Sequence, residues 1–254
     1  MFGKFFNAGS LFFLLNIAVF AADSTEVAED EITKLTYGFE NDFITQYIWR
    51  GISYNEGFIL QPSVWIEYDG FTFYTWGSLT LNDKHNNPKN HEVDFAVQYS
   101  YQYEELFLEP SIAYYIYPGQ EEAPPTAEAN LKLAYTLLET EVYSNICLDV
   151  LEYPGSLSGD IGLKKSLFEN DDVNFSVDIS TGWANKKFTE TYVGESEETD
   201  LFNFVRFAID AEYYVSENIY LKPHAEYFYI FSPVLKSVSG NNLTNFGLLF
   251  GVEF

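Results

Sequence analysis

The sequence predicts an all-β chain: a secretory leader followed by a single antiparallel up-and-down transmembrane β-barrel of about twelve strands. Three observations predict it. Apolar and polar residues alternate with period two from Leu35 to Phe254. The gaps between the alternating stretches are short and long in turn. Aromatic residues make up 19% of the chain, with 20 Tyr and 24 Phe against one Met and one Cys, and these are the types that strands and membrane–water boundaries favour. A mean hydropathy of -0.12 averages a greasy face with a wet one, so it does not count against a membrane barrel.

The leader is residues 1–21. Lys4 gives a positive start, Leu11–Leu15 and Ile17–Phe20 form a short apolar run, and Val19 and Ala21 are small residues placed for cleavage. Asn7, Ser10 and Asn16 interrupt the run, which is too broken for a spanning helix of about 20 apolar residues. Residues 22–33 read as a flexible acidic segment and 34–254 as the barrel. No later run is long and apolar enough for a helix to span, so a membrane crossing requires strands that close on themselves.

The strands follow in order. Leu35, Tyr37, Phe39, Phe43, Tyr47 and Trp49 share one parity; Gly38, Glu40, Asp42, Gln46 and Arg50 share the other. Successive strand side chains point to opposite faces, so one face is apolar and the other polar. The same rhythm recurs at Phe58–Tyr68, at Phe71–Leu79 after the hairpin signal Asp69-Gly70, at Val93–Tyr101, and at Leu108–Ile116. It continues through Leu131–Leu137, Val142–Val150, Leu157–Leu163, Val173–Ile179, Leu201–Tyr213 and Ile219–Tyr229, and ends with Phe246, Leu248, Phe250, Val252 and Phe254.

Short turns are expected near Asp69-Gly70, Tyr103–Glu105, Glu139-Thr140, Glu169–Asp172 and Ser216-Glu217. Longer gaps are expected at Gly51–Gly57, Asn82–Asn90, Pro118–Thr126, Glu152–Ser156, Asn185–Thr199 and Phe231–Asn242. Outer-membrane barrels have this strict alternation of short inner turns and long outer loops. A soluble sandwich would give no reason for it and would bury the aromatic faces between two sheets. Pro62, Pro110 and Pro223 fall on apolar parity. Proline cannot donate to a ladder, so bulges or local bends are expected there.

Composition excludes several functions. The formal net charge is -25, from 13 basic and 38 acidic residues, which disfavours nucleic acid as a partner because phosphate binding needs basic patches. His85, His91 and His224 have no serine at a spacing that suggests a nucleophile, and there is neither zinc-ligand spacing nor a phosphate-binding glycine loop. The reading is therefore of a non-enzyme with no cofactor and no metal. Cys147 reads as a small interior residue, and the acidic run in 190–200 as a solvated loop.

The polar parity carries Glu40, Asp42, Glu67, Glu92, Asp94, Glu109, Glu128, Glu141, Asp149, Asp160, Asp178, Asp210, Glu212, Glu226 and Glu253. Against them stand Arg50, Lys132, Lys164, Arg206 and Lys222, with His224 able to gain charge, so acids outnumber bases about three to one. An open lumen of this kind prefers cations. Arg50, Glu92, Asp94, Tyr117 and Glu128 all point inward beside long loops, where an arginine fork can pair with carboxylates at the lumen mouth. The plain alternative is a purely barrel-closing role. Trp65, Tyr74, Trp76 and Tyr115 also face inward, as filling or as a stacking path for ring-bearing solutes.

The run Tyr47-Ile48-Trp49-Arg50-Gly51-Ile52-Ser53 resembles the opening motif of the TorF-type family of bacterial outer-membrane porins. His91–Phe95, Tyr114–Gly119, Glu128-Ala129-Asn130 and the closing Gly251-Val252-Glu253-Phe254 are similar to the same family. The resemblance implies an outer-membrane barrel for passive passage of small solutes, with membrane lipids as surroundings. The terminal Phe254 also resembles the signal read by the barrel-assembly machinery. A structural or adhesive barrel with a plugged lumen is the first alternative, and an outer-membrane enzyme the second.

Overall fold

The computed structural model describes residues 6–8, 15–17, 35–83, 91–121, 123–194 and 201–254. Phe6–Ala8 and Leu15–Ile17 form a separate two-stranded ladder. The rest of the leader, residues 22–33 and the acidic stretch 195–200 lie outside the described residues.

Twelve antiparallel strands close into one barrel. They are β1 Thr36–Trp49, β2 Ile52–Tyr68, β3 Phe71–Asp83, β4 (the segments Glu92–Tyr99 and Tyr101–Tyr103), β5 Leu106–Ile116 and β6 Thr126–Leu137. The circuit continues with β7 Thr140–Asp149, β8 Leu157–Glu169, β9 Val173–Ala184, β10 Phe202–Ser216, β11 Ile219–Ile230 and β12 Asn242–Glu253. Each strand pairs with its neighbours in the chain, and β12 returns to β1 from Gly247 opposite Ile44 to Glu253 opposite Gly38.

The period-two pattern decides which face is which. Phe43, Val64, Phe73, Phe95, Ile112 and Phe207 are exposed on the outer wall, whereas Glu40, Ser63, Asp94, Asp160 and Arg206 are buried inside. None of the fifteen acids placed on the polar parity is exposed. Trp65, Trp76 and Tyr115 are buried and Tyr74 half-buried, all on the inner side.

The three prolines do not create bulges. At each one the ladder drops pairs and then resumes in the same register. β2–β3 passes from Leu60 opposite Leu79 to Ser63 opposite Trp76. β4 breaks at Ser100, between Gln98 opposite Ser111 and Tyr101 opposite Leu108, with Pro110 across from the adjacent Tyr99. β10–β11 skips between Asp210 opposite His224 and Tyr213 opposite Leu221. A missing N–H removes a bond but adds no residue, so the count on each strand is unchanged. The bulges lie elsewhere, including two in β2, one at Gly57-Phe58 opposite Thr45 and one at Tyr54 between the Tyr47–Asn55 and Ile48–Ser53 pairs.

One end of the barrel carries tight turns, as expected. Asp69-Gly70 has positive φ at both residues (52° and 76°), the backbone of a type I′ hairpin. The turn expected at Glu139-Thr140 sits one residue earlier, with Leu138 and Glu139 at φ 50° and 60°. The other end differs from expectation at its first connection. No loop fills Gly51–Gly57: Arg50 and Gly51 (φ 51° and 81°) make a two-residue turn, and β1 and β2 run straight into it. The remaining connections at this end are long. Two contain helices, α1 Lys186–Tyr192 and α2 Pro233–Ser239. Asn185 caps α1 by accepting from Phe188 N, and Ser232 with Pro233 opens α2.

Inward glycines give large rings somewhere to lie. Gly38 faces Trp65, Gly159 faces Trp183, Gly162 faces Tyr143 and Gly251 faces Tyr220, each directly across a strand pair. The ring occupies the space a Cβ would need: a methyl at Gly251 would fall 2.1 Å from Tyr220 Cζ. Gly251→Ala is therefore expected to destabilise the barrel by about 1–3 kcal/mol through overpacking. Urea titration followed by tyrosine and tryptophan fluorescence measures it, with Gly77→Ala, where an added Cβ would come no closer than 3.5 Å to another atom, as the comparison.

Candidate functional site

The tip of the β1–β2 hairpin folds into the barrel mouth. From Gln46 to Ile52 every residue is buried, on both faces of the strands. The hairpin carries two bulges whose extra residues lie on β2, Gly57 and Phe58 facing Thr45 alone and Tyr54 unpaired, and the bent strand turns the tip inward. Tyr47 and Trp49, read from parity as outward, are therefore interior residues. They join an apolar plug with Ile44, Ile48 and Ile52 from the hairpin, Phe188 from α1, Leu235 from α2, and Phe204 and Phe228 from the wall. Trp49 lies against Phe188 at 5.5 Å and against the Tyr192 edge at 4.9 Å between ring centroids. Gly51 has no room for a side chain, since Phe204 and Leu235 stand within 2.8 Å of where its Cβ would be.

Below the plug, Arg50 crosses to the far wall. Its Nη1 and Nη2 donate to the two oxygens of Glu128 on β6 at 2.8 and 2.6 Å, and Nη1 also reaches Ser158 Oγ on β8 at 2.7 Å. Tyr115 on β5 donates to Glu128 at 2.9 Å. The guanidinium lies over the Trp49 ring, 4.4 Å from its centroid, so cation–π attraction adds to a bidentate ion pair.

The other expected partners are placed differently. Glu92 accepts from Tyr47 OH at 2.9 Å. Asp94 is buried, with neither carboxylate oxygen bonded among the described residues. Tyr117 is half-buried against Ala96, Ala113 and Tyr115. Arg50 and Glu128 thus meet directly, and Glu92 is tied to the same hairpin through Tyr47. Burial pushes the Tyr192 phenol up, with the charges of Glu128 and Asp149 acting in the same direction, so this α1 residue stays a neutral donor.

Two further charged groups hold the lumen. Arg206 donates to Asp178 at 2.8 Å and to Glu226 at 2.9 Å, and Tyr143 donates to Asp178 at 2.9 Å. Toward the short-turn end, Lys222 pairs with Glu212 at 2.9 Å, His224 with Asp42 at 3.0 Å, and Tyr220 donates to Glu40. Between the Arg50 level and these groups, against the β3–β9 side of the wall, lies a cavity of about 90 Å³.

Sequence reasoning missed the plug helices and the inward turn of the hairpin. Asn185 and Ser232-Pro233 were available as helix-start signals. Gly57, at φ 142° in the first bulge, was the one signal of the bend, since a glycine inside a strand often marks a bulge.

Arg50→Met leaves the Glu128 carboxylate buried without its cation. Loss of one partner from such a pair is expected to cost about 3–5 kcal/mol, and Arg50→Met with Glu128→Leu to recover most of it. Chemical denaturation read by tryptophan emission distinguishes the single from the double variant.

The comparisons agree with this architecture. A family profile described as "Protein of unknown function, DUF481" matches residues 150–240. No curated protein matches. Among solved structures, the KdgM porin in complex with disordered oligogalacturonate is similar at a TM-score of 0.53, with 7% identity, over 86% of this chain and 99% of that one. The NanC porin follows at 0.51 and 11% identity, over 86% and 98%. The COG4313 outer membrane channel from Pseudomonas putida F1 gives 0.51 and 9% identity, over 90% and 100%. At these identities the likeness is one of fold: this chain is a closed twelve-stranded antiparallel barrel built like the outer-membrane porins.

Proposed function

We propose that the chain is a bacterial outer-membrane barrel, a porin of TorF type that passes small solutes passively and prefers cations when open. One observation carries the reading: an apolar outer wall encloses an inner wall in which carboxylates outnumber cationic groups about three to one. The outer wall fits lipid, because a closed ladder leaves no backbone group unsatisfied there. The terminal Phe254 is the segment offered to the barrel-assembly machinery. The KdgM porin was solved with oligogalacturonate, but the acidic lumen of this chain argues against a polyanionic sugar as its solute.

A second reading has its own support. The plug of hairpin tip, α1 and α2 is continuous apolar packing, as suits a structural barrel with a blocked lumen.

Planar-bilayer recording separates the two. The expected result is discrete conductance steps, with a reversal potential shifted toward the cation in a salt gradient; an anion shift overturns the preference. Phe188→Ser with Leu235→Ser removes two buried apolar contacts from the plug and is expected to increase the open fraction severalfold. Silence of both proteins favours the structural barrel.

A further inference from the structure

The lumen cavity beneath Arg50 has a lining that selects chemistry. We propose that it is a binding site for a neutral polyhydroxylated solute of monosaccharide size, an inference that rests on the lumen being a solute path.

Its volume of about 90 Å³ is room for roughly six waters at about 15 Å³ each, the space of one compact small molecule. Two of its polar groups lack partners among the described residues: Lys164 Nζ, a donor, and Asn130 Oδ1, an acceptor. Lys164 on β8 stands directly opposite Glu141 on β7 and Asp178 on β9. Both carboxylates are engaged elsewhere: Glu141 with Lys132 at 3.1 Å, and Asp178 with Arg206 and Tyr143. The Lys164 charge is therefore balanced by its neighbours while its N–H groups still need acceptors. Buried donors and acceptors left unmade are costly, so a ligand that completes them gains from it.

The same reasoning decides the ligand's charge. Glu109, Glu141 and Asp178 all line the cavity and oppose an anion. Lys132, Lys164 and Arg50 line it too and oppose an organic cation. A hydroxyl accepts from Lys164 and donates to Asn130, so a polyol satisfies both orphans at no charge. The rings of Tyr74, Tyr115 and Tyr143 also line the cavity and offer apolar faces with polar edges, which suits the C–H faces of a pyranose.

The test is calorimetric titration of D-glucose into the full-length folded protein in detergent, with D-gluconate and D-glucosamine as charged counterparts. Saturable glucose binding, weaker for both charged sugars, is expected. Lys164→Met should weaken it about ten- to hundredfold, the value of hydrogen bonds from a charged group. Asn130→Leu should weaken it as well, and stands in if Lys164→Met does not fold. Absence of saturable glucose binding, tighter binding of gluconate, or affinity unchanged in both variants overturns the proposal. Conductance is scored separately. A conducting barrel that ignores glucose loses this site and keeps the channel; a silent barrel that binds glucose keeps the site and loses the channel.

Discussion

Everything in this molecule depends on closure of the sheet. In hydrocarbon an unpaired backbone N–H or C=O costs several kcal/mol, so a strand edge cannot be left open. The seam between β12 and β1 removes both edges at once. Its last bonds run from Tyr37 N to Phe254 O at 3.1 Å and back from Phe254 N to Tyr37 O at 2.9 Å, and the two rings stack at 5.6 Å. The terminal residue is thus part of the wall, which gives a structural reason for an aromatic there.

Closure fixes an inside, and the inside is expensive to fill with charge. The chain meets that cost by matching groups across strands. Arg206 holds two carboxylates and Arg50 holds one by both oxygens. Such groups add little net stability relative to an apolar core; matching them across strands keeps the enclosed charges from being left without partners. Flat rings over inward glycines contribute differently: they cover the wall without projecting into the lumen.

The wall was legible in the sequence because a strand's side-chain period is fixed at two, and a barrel has one greasy face and one wet face. From Phe39 to Phe43, or from Val93 to Gln98, parity alone places each side chain correctly. It fails from Gln46 to Ile52, where the extra residues on β2 bend the hairpin tip into the mouth and both of its faces are buried. The same failure hid the first outer connection, whose polar and glycine residues read as a loop but lie within two long paired strands. Of the expected mouth cluster, the Arg50–Glu128 pairing was readable because both residues lie inward at the loop end. The role of Tyr47 was not, because the bent tip carries residues of the outward parity into the interior. Of the bulges or local bends expected at the prolines, the bulges are absent, because loss of a bond is not gain of a residue.

The grip of Arg50 on the far wall also bears on how the chain is built. Its partners Glu128 and Ser158 lie 78 and 108 positions further along. The hairpin made first can therefore seat its tip only after β6 and β8 exist to receive it, and the entropy of closing such long loops must be met before that contact returns anything. The stopper is then the last part of the interior to set, fitted into a vessel whose sides are already standing.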